Sequence, residues 1–179
     1  MDDLYKNEIE LTLKDFGEDG RVNHAEFQNK LHFICFYMPW CPFCTNMVNE
    51  YKKLAEACST ELDNLLVVGA FNCLQLKDEE NDESEEGKQS KRIRDYYDIK
   101  GYPTIKFIYQ ENGKEKQIRY QGERERDDYI NAACEIITNK GSQNQQPQQQ
   151  QQQQQPPHIM DGGVFDVLES YRQRFFGGN

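Results

Sequence analysis

The strongest constraint in the chain is Trp40-Cys41-Pro42-Phe43-Cys44, which holds two cysteines three residues apart. They stand between an apolar run of strand length, Leu31 to Met38, and a segment of helical spacing. Such a pair at a helix start closes a disulfide within one turn or supplies half of a zinc site. Zinc needs four ligands, and no second Cys-x-x-Cys or paired histidines complete the set. The context therefore favours redox chemistry, in which the attacking species is the thiolate. A helix N-terminus stabilises a thiolate through its unpaired N–H groups and partial positive charge. Cys41 falls at that end. Pro42 suits the first helical position, where its missing N–H has no partner to lose. Cys44 lies one turn deeper. Cys41 is thus expected to be the exposed, attacking thiol, and Cys44 the resolving thiol that releases the substrate.

The surrounding chain reads as alternating strands and helices. Ile9, Leu11 and Leu13 alternate as in a strand. Asp15 to Phe27 approaches a calcium loop, with Asp15, Asp19, Gly20 and Glu26 in register but Gly17 where a third oxygen ligand belongs. The plainer expectation there is a turn feeding a short helix over 23–30. Leu31 to Met38 is expected as a strand buried on both faces. Met47, Tyr51, Leu54 or Ala55, and Cys58 mark the inner face of the following helix. Leu65 to Phe71 is a second buried strand. A short helix is expected over 91–97, then a strand near Thr104 to Ile108. Asn112-Gly113 signals a hairpin returning through Gln117 to Tyr120. A last helix over 126–139 carries Ile130, Ala133, Cys134 and Ile137 on one face.

Three segments follow from composition: a folded domain over 1–140, a Gln- and Pro-rich linker over 141–157 expected to be disordered, and a short tail over 158–179. In the tail Val164, Leu168, Tyr171 and Phe175 match one helical face that would dock on the chain's own domain or on a partner, and a loosely structured tail is the equal alternative, since isolated helices this short are marginal. The net charge is −10, and the seven acids between Asp78 and Glu86 account for most of it. That run reads as a solvated loop, and the balance elsewhere favours neither nucleic acid nor membrane. No 18-residue apolar run marks a membrane span. The start lacks the basic and apolar pattern of a secretory leader, so the chain is expected in the cytoplasm. Cys35, Cys58, Cys73 and Cys134 are expected there as buried thiols.

Three motifs carry a family resemblance across residues 5–139. Phe36-Tyr37-Met38-Pro39-Trp40-Cys41 resembles the Phe-Tyr-Ala-Pro-Trp-Cys of the protein disulfide isomerases. Gly101-Tyr102-Pro103-Thr104 resembles their cis-proline loop, and Tyr120-Gln121-Gly122-Glu123-Arg124 their Tyr-x-Gly-x-Arg ending. The chain is identified as a member of the thioredoxin superfamily, closest to one catalytic domain of those isomerases. The resemblance implies a thioredoxin fold, a central mixed sheet flanked by helices. It also implies a redox-active Cys41–Cys44 pair, a cis bond at Pro103 facing it, Trp40 over the attacking sulfur, and Arg124 influencing proton loss from Cys44. Pro42 and Phe43 are similar to the Pro-Tyr of glutaredoxins. They point to a reduction potential between about −270 and about −180 mV. Cys35 stands where the family keeps a buried acid that accepts the resolving cysteine's proton, and Ala70 where thioredoxins often have a lysine.

The resulting expectation is a thiol-disulfide oxidoreductase acting on cysteines and disulfides in proteins, without metal or organic cofactor. The alternative is a redox-weak binding or structural protein of the same fold, holding a partner by its tail or acidic stretch. The glutamine tract beside a compact domain is similar to proteins of large amoebal DNA viruses, which would place the chain in a virion.

Overall fold

The computed structural model describes residues 9–27, 30–61, 65–77 and 82–143. Five strands form one mixed sheet in the order β1-β3-β2-β4-β5: β1 (Ile9–Leu11), β2 (Leu31–Tyr37), β3 (Leu66–Asn72), β4 (Thr104–Glu111) and β5 (Lys114–Arg119). β3 runs parallel to β1 and β2, while β4 is antiparallel to both β2 and β5. Three helices are present among the described residues: α1 (Pro42–Glu61), α2 (Glu85–Tyr97) and α3 (Arg126–Gln143). This is the thioredoxin fold. By packing, the chain divides into two units, 1–133 and 134–179. α3 continues through Gly141 and Ser142 to Gln143, beyond the change in composition. The expected linker past that point and the tail face of Val164 to Phe175 lie outside the described residues.

Each face of the sheet is set by strand parity. Phe33 on β2 packs against Tyr51 of α1 and Tyr129 of α3, with ring centroids 5.5 and 5.2 Å away. Cys35 follows on the same face, since side chains two apart point the same way. Phe36 points oppositely and packs against Tyr97 of α2 at 4.6 Å. Both faces of β2 are covered, which is why its sequence is apolar without alternation. α1 buries Met47, Tyr51, Leu54, Ala55 and Cys58, the face its spacing marked. The hairpin turns at Asn112 and Gly113, whose φ values of 52° and 72° both lie in the left-handed region that Asn and Gly tolerate best. Beyond it β5 forms an edge, mostly exposed and charged.

The structure corrects the bounds of two expected elements. The helix over 23–30 is a single 3-10 turn, Ala25–Phe27, because Phe27 buries immediately and β2 begins at Leu31. α2 starts six residues before Lys91, and Ser84 caps it by accepting from Gly87 N at 3.1 Å. Glu85 and Glu86 therefore belong to a first helical turn, where the helix dipole favours acids, rather than to a loop. The stretch over 15–27 forms the turn expected there and not a helix-loop-helix: an isolated antiparallel bridge joins Phe16 to Val22, and Gly20 N donates to the Gly17 carbonyl between them. The Asp15 carboxylate accepts from Thr12 at 2.7 and 2.8 Å, and Asp19 accepts from Arg21 N at 3.0 Å. Glu26 lies in the 3-10 turn, and among the described residues no three acids or histidines converge as a metal site.

Candidate active site

β2 delivers the chain to the site, and α1 begins there. The Cys41 carbonyl accepts from Cys44 N and Thr45 N, both at 3.0 Å, which closes the first turn around Pro42. Cys41 thus sits at the N-terminus of a 20-residue helix, and Cys44 faces inward one turn on. Opposite them the Tyr102–Pro103 peptide is cis. The Cys41 thiol donates to the Tyr102 carbonyl, with sulfur and oxygen 3.4 Å apart.

The two sulfurs differ in environment. Burial pushes the Cys41 thiol up, but hydrogen bonds from the Cys44 and Phe43 backbone and the Cys44 thiol, with Arg124 behind them, leave it below its ordinary value. Burial pushes Cys44 up to about 12, reinforced by its hydrogen bond to Cys41. Cys41 is not exposed as expected. It is shallow, but only 6% of its surface meets solvent, against none for Cys44. The contact with Tyr102 accounts for part of the cover. Trp40 and Phe43 stand beside the pair with 68% and 64% of their surfaces exposed, an apolar rim.

Arg124 reaches the site from the loop before α3. Its Nη1 donates to the Phe43 carbonyl at 3.2 Å and its guanidinium lies 6.0 Å from the Phe43 ring centre. Gly122 helps fix this loop. A Cβ there would stand 2.5 Å from the Tyr120 hydroxyl, which itself donates to the Glu123 carbonyl at 2.6 Å. Trp40, Cys41, Pro42, Phe43, Cys44, Pro103 and Arg124 therefore share one end of the sheet, whereas Asp15, Asp19 and Glu26 do not converge on a site of their own.

Two residues at this end carried no functional assignment from sequence. Tyr102 offers its carbonyl to Cys41 and its phenol to Cys73, and its place before Pro103 was the available signal. Cys73, fully buried at the end of β3, is felt electrostatically by Cys44, and Arg94 acts on it from α2. Nothing local in sequence marks Cys73, because both neighbours come from distant segments.

The fold and the paired cysteines facing a cis-proline loop define a thioredoxin-fold thiol protein. The Thioredoxin family model matches residues 9–135, and the chain belongs to that family. Within it the similarity is to single domains of protein disulfide isomerases. A putative protein disulfide-isomerase of Dictyostelium discoideum is 36% identical over 121 residues, covering 66% of this chain and 24% of that protein. Protein disulfide-isomerase A6 of Mesocricetus auratus is 33% identical over 129 residues, covering 72% of this chain and again 24% of that protein. This chain thus spans about a quarter of the length of these relatives. The first thioredoxin domain of mouse protein disulfide-isomerase A4 superposes with a TM-score of 0.50 at 23% identity, over 90% of this chain and 91% of that domain. That likeness is one of fold.

Proposed function

We propose that the chain is a thiol-disulfide oxidoreductase acting on protein disulfides through Cys41 and Cys44. The observation that carries this reading is the asymmetry of the pair: Cys41 is held below the ordinary thiol value and Cys44 is pushed up to about 12. At neutral pH such a pair has one nucleophile and one reserve thiol. The Cys41 thiolate attacks one sulfur of a substrate disulfide, and the other leaves as a thiolate that takes a proton from solvent. Cys44 then loses its proton and attacks the Cys41 sulfur. The Cys41–Cys44 bond forms, the bond to the substrate breaks, and the substrate has gained two electrons. The reverse sequence oxidises a dithiol. The Trp40 and Phe43 rim and the Tyr102–Pro103 loop offer an extended protein segment a surface around the sulfur.

The test is insulin reduction by dithiothreitol, followed as turbidity, for the full chain and its Cys41→Ser variant. Faster precipitation with the unaltered chain alone supports the enzyme. Equal rates favour the redox-weak binding protein.

A further inference from the structure

Among the described residues Lys106 is the single buried side chain with a formal charge, 7% exposed. A lysine this enclosed is ordinarily ion-paired. The Lys106 ammonium instead donates to a neutral acceptor, the Gln117 amide oxygen, at 2.9 Å. Gln117 in turn donates to the Glu115 carboxylate at 3.3 Å. No carboxylate among the described residues lies within ion-pair distance of Lys106.

Its cross-strand neighbour adds a second positive charge. The β4–β5 register sets Lys106 directly opposite Arg119. Residues so paired share a face of the sheet, and like charges there repel. The two side chains lean apart. Lys106 turns toward Gln117, which faces Ile108, while Arg119 turns the other way and donates from Nη2 to the Thr104 hydroxyl at 3.4 Å. That bond is long, Arg119 is exposed, and it too forms no ion pair among the described residues.

The counter-charge that both cations feel is Asp98, the residue that caps the C-terminus of α2. Its carboxylate is already held by Lys100, 2.7 Å away. Lys100, Lys106 and Arg119 against Asp98 leave a surplus of two positive charges. Burial holds the Lys106 ammonium below the ordinary lysine value, Asp98 opposes that effect, and Arg119 adds to it.

We infer that Lys106 and Arg119 bind a phosphate dianion, at a site on the α2 face of the sheet beside the Pro103 loop. The dianion matches the surplus charge. The Arg119 guanidinium presents a planar fork of donors suited to phosphate oxygens. The Lys106 ammonium keeps N–H groups beyond the one given to Gln117. Phosphate between the two replaces their repulsion with a shared attraction and gives the buried ammonium an ionic partner. Arg119, exposed at the edge strand, reaches it by leaving Thr104. The site uses neither Cys41 nor Cys44, so it stands apart from the oxidoreductase reading.

The test is a titration of the nitrogen-15-labelled full chain with sodium phosphate, followed by amide chemical shifts. The pH is about 7.5, where phosphate is mostly dianionic, and sodium chloride holds the ionic strength near about 0.2 M. The Lys106, Arg119 and Thr104 signals should move together and saturate in the millimolar range. Arg119→Ala, at an exposed position, should weaken the apparent affinity roughly tenfold, and Lys106→Met at least as much, the worth of a charged hydrogen bond. Should methionine disturb the fold, Arg119→Ala decides alone. Shifts that never saturate, or that persist unchanged in Arg119→Ala, mean an adventitious ion only and overturn the inference. Acetate binding as tightly as phosphate overturns the assignment to phosphate. A short phosphoserine peptide forms the second arm: binding tighter than that of inorganic phosphate supports a protein-borne phosphate at this site, and equal binding supports a free one.

Discussion

The Cys41 sulfur lies 3.4 Å from the Tyr102 carbonyl oxygen, a contact that joins residues 61 positions apart. It shields the sulfur and also places it where an extended backbone lying along the Pro103 loop would meet it. In the proposed reaction, that cover would favour substrates that fit the Trp40 and Phe43 rim.

Cys41 should be the first cysteine alkylated by iodoacetamide at pH 7. Its pKa is lowered, so its thiolate fraction at neutral pH exceeds that of a thiol at or above the ordinary value, and it falls as the pH falls. Peptide mapping by mass spectrometry after brief labelling checks this. Preferential labelling of Cys44 reverses the two roles.

Arg124→Met should raise the alkylation midpoint of Cys41, because the guanidinium favours the thiolates of both Cys41 and Cys44. The side chain is exposed, so a shift of about 0.3 pH unit is expected, shrinking in high salt. Arg124→Lys should restore most of it. A midpoint that ignores both substitutions and salt removes Arg124 from the electrostatics of the pair.

Tyr51→Phe should destabilise the domain by about 1–3 kcal/mol. The Tyr51 hydroxyl lies 2.9 Å from the Gly69 carbonyl and 3.1 Å from that of Phe33, tying α1 to β3 and β2 in the interior. Urea unfolding of the reduced chain measures the loss. A loss no larger than that of an exposed tyrosine removes those bonds from the account.

The reduced protein should lose stability above pH 9. Cys44 titrates near 9.0 when unfolded and is raised to about 12 when folded, and Tyr96 and Tyr120 rise from 10.0 to about 12. Raised values contribute stability that is complete below the unfolded pKa and disappears as pH climbs toward the folded one. Cys44 alone should remove roughly 1–2 kcal/mol by about pH 10.5. Denaturation midpoints at pH 8 and at about pH 10.5 give the comparison, and an unchanged midpoint contradicts the assignment.

The parts of the fold legible in sequence were those written in local pattern. Leu31 to Met38, the Met47–Cys58 stripe and Asn112-Gly113 each declare an element by spacing or backbone preference, and each appears within a residue or two of its expected bounds. The end of the acidic stretch misled because charge was read as solvation, whereas Ser84 turns Glu85 and Glu86 into a favourable helix start. The calcium pattern was incomplete as read, with Gly17 at a ligand position, and the turn expected in its place is what forms, because spacing specifies oxygens but not the flanking helices that would gather them. Within the site, the cysteines and Pro103 were visible as motifs. The cover over Cys41 and the Tyr102–Cys73 contact were not, since each arises only when distant strands and helices pack.

The outermost strand has a consequence for how copies of the molecule meet. Along β5, Lys114, Glu115, Lys116 and Arg119 line a border that pairs with no further strand among the described residues. A neighbouring copy that tried to add a strand there would have to strip water from several charges at once. The domain can therefore present sticky aromatics around a sulfur at one end while its flank resists fibre-like stacking.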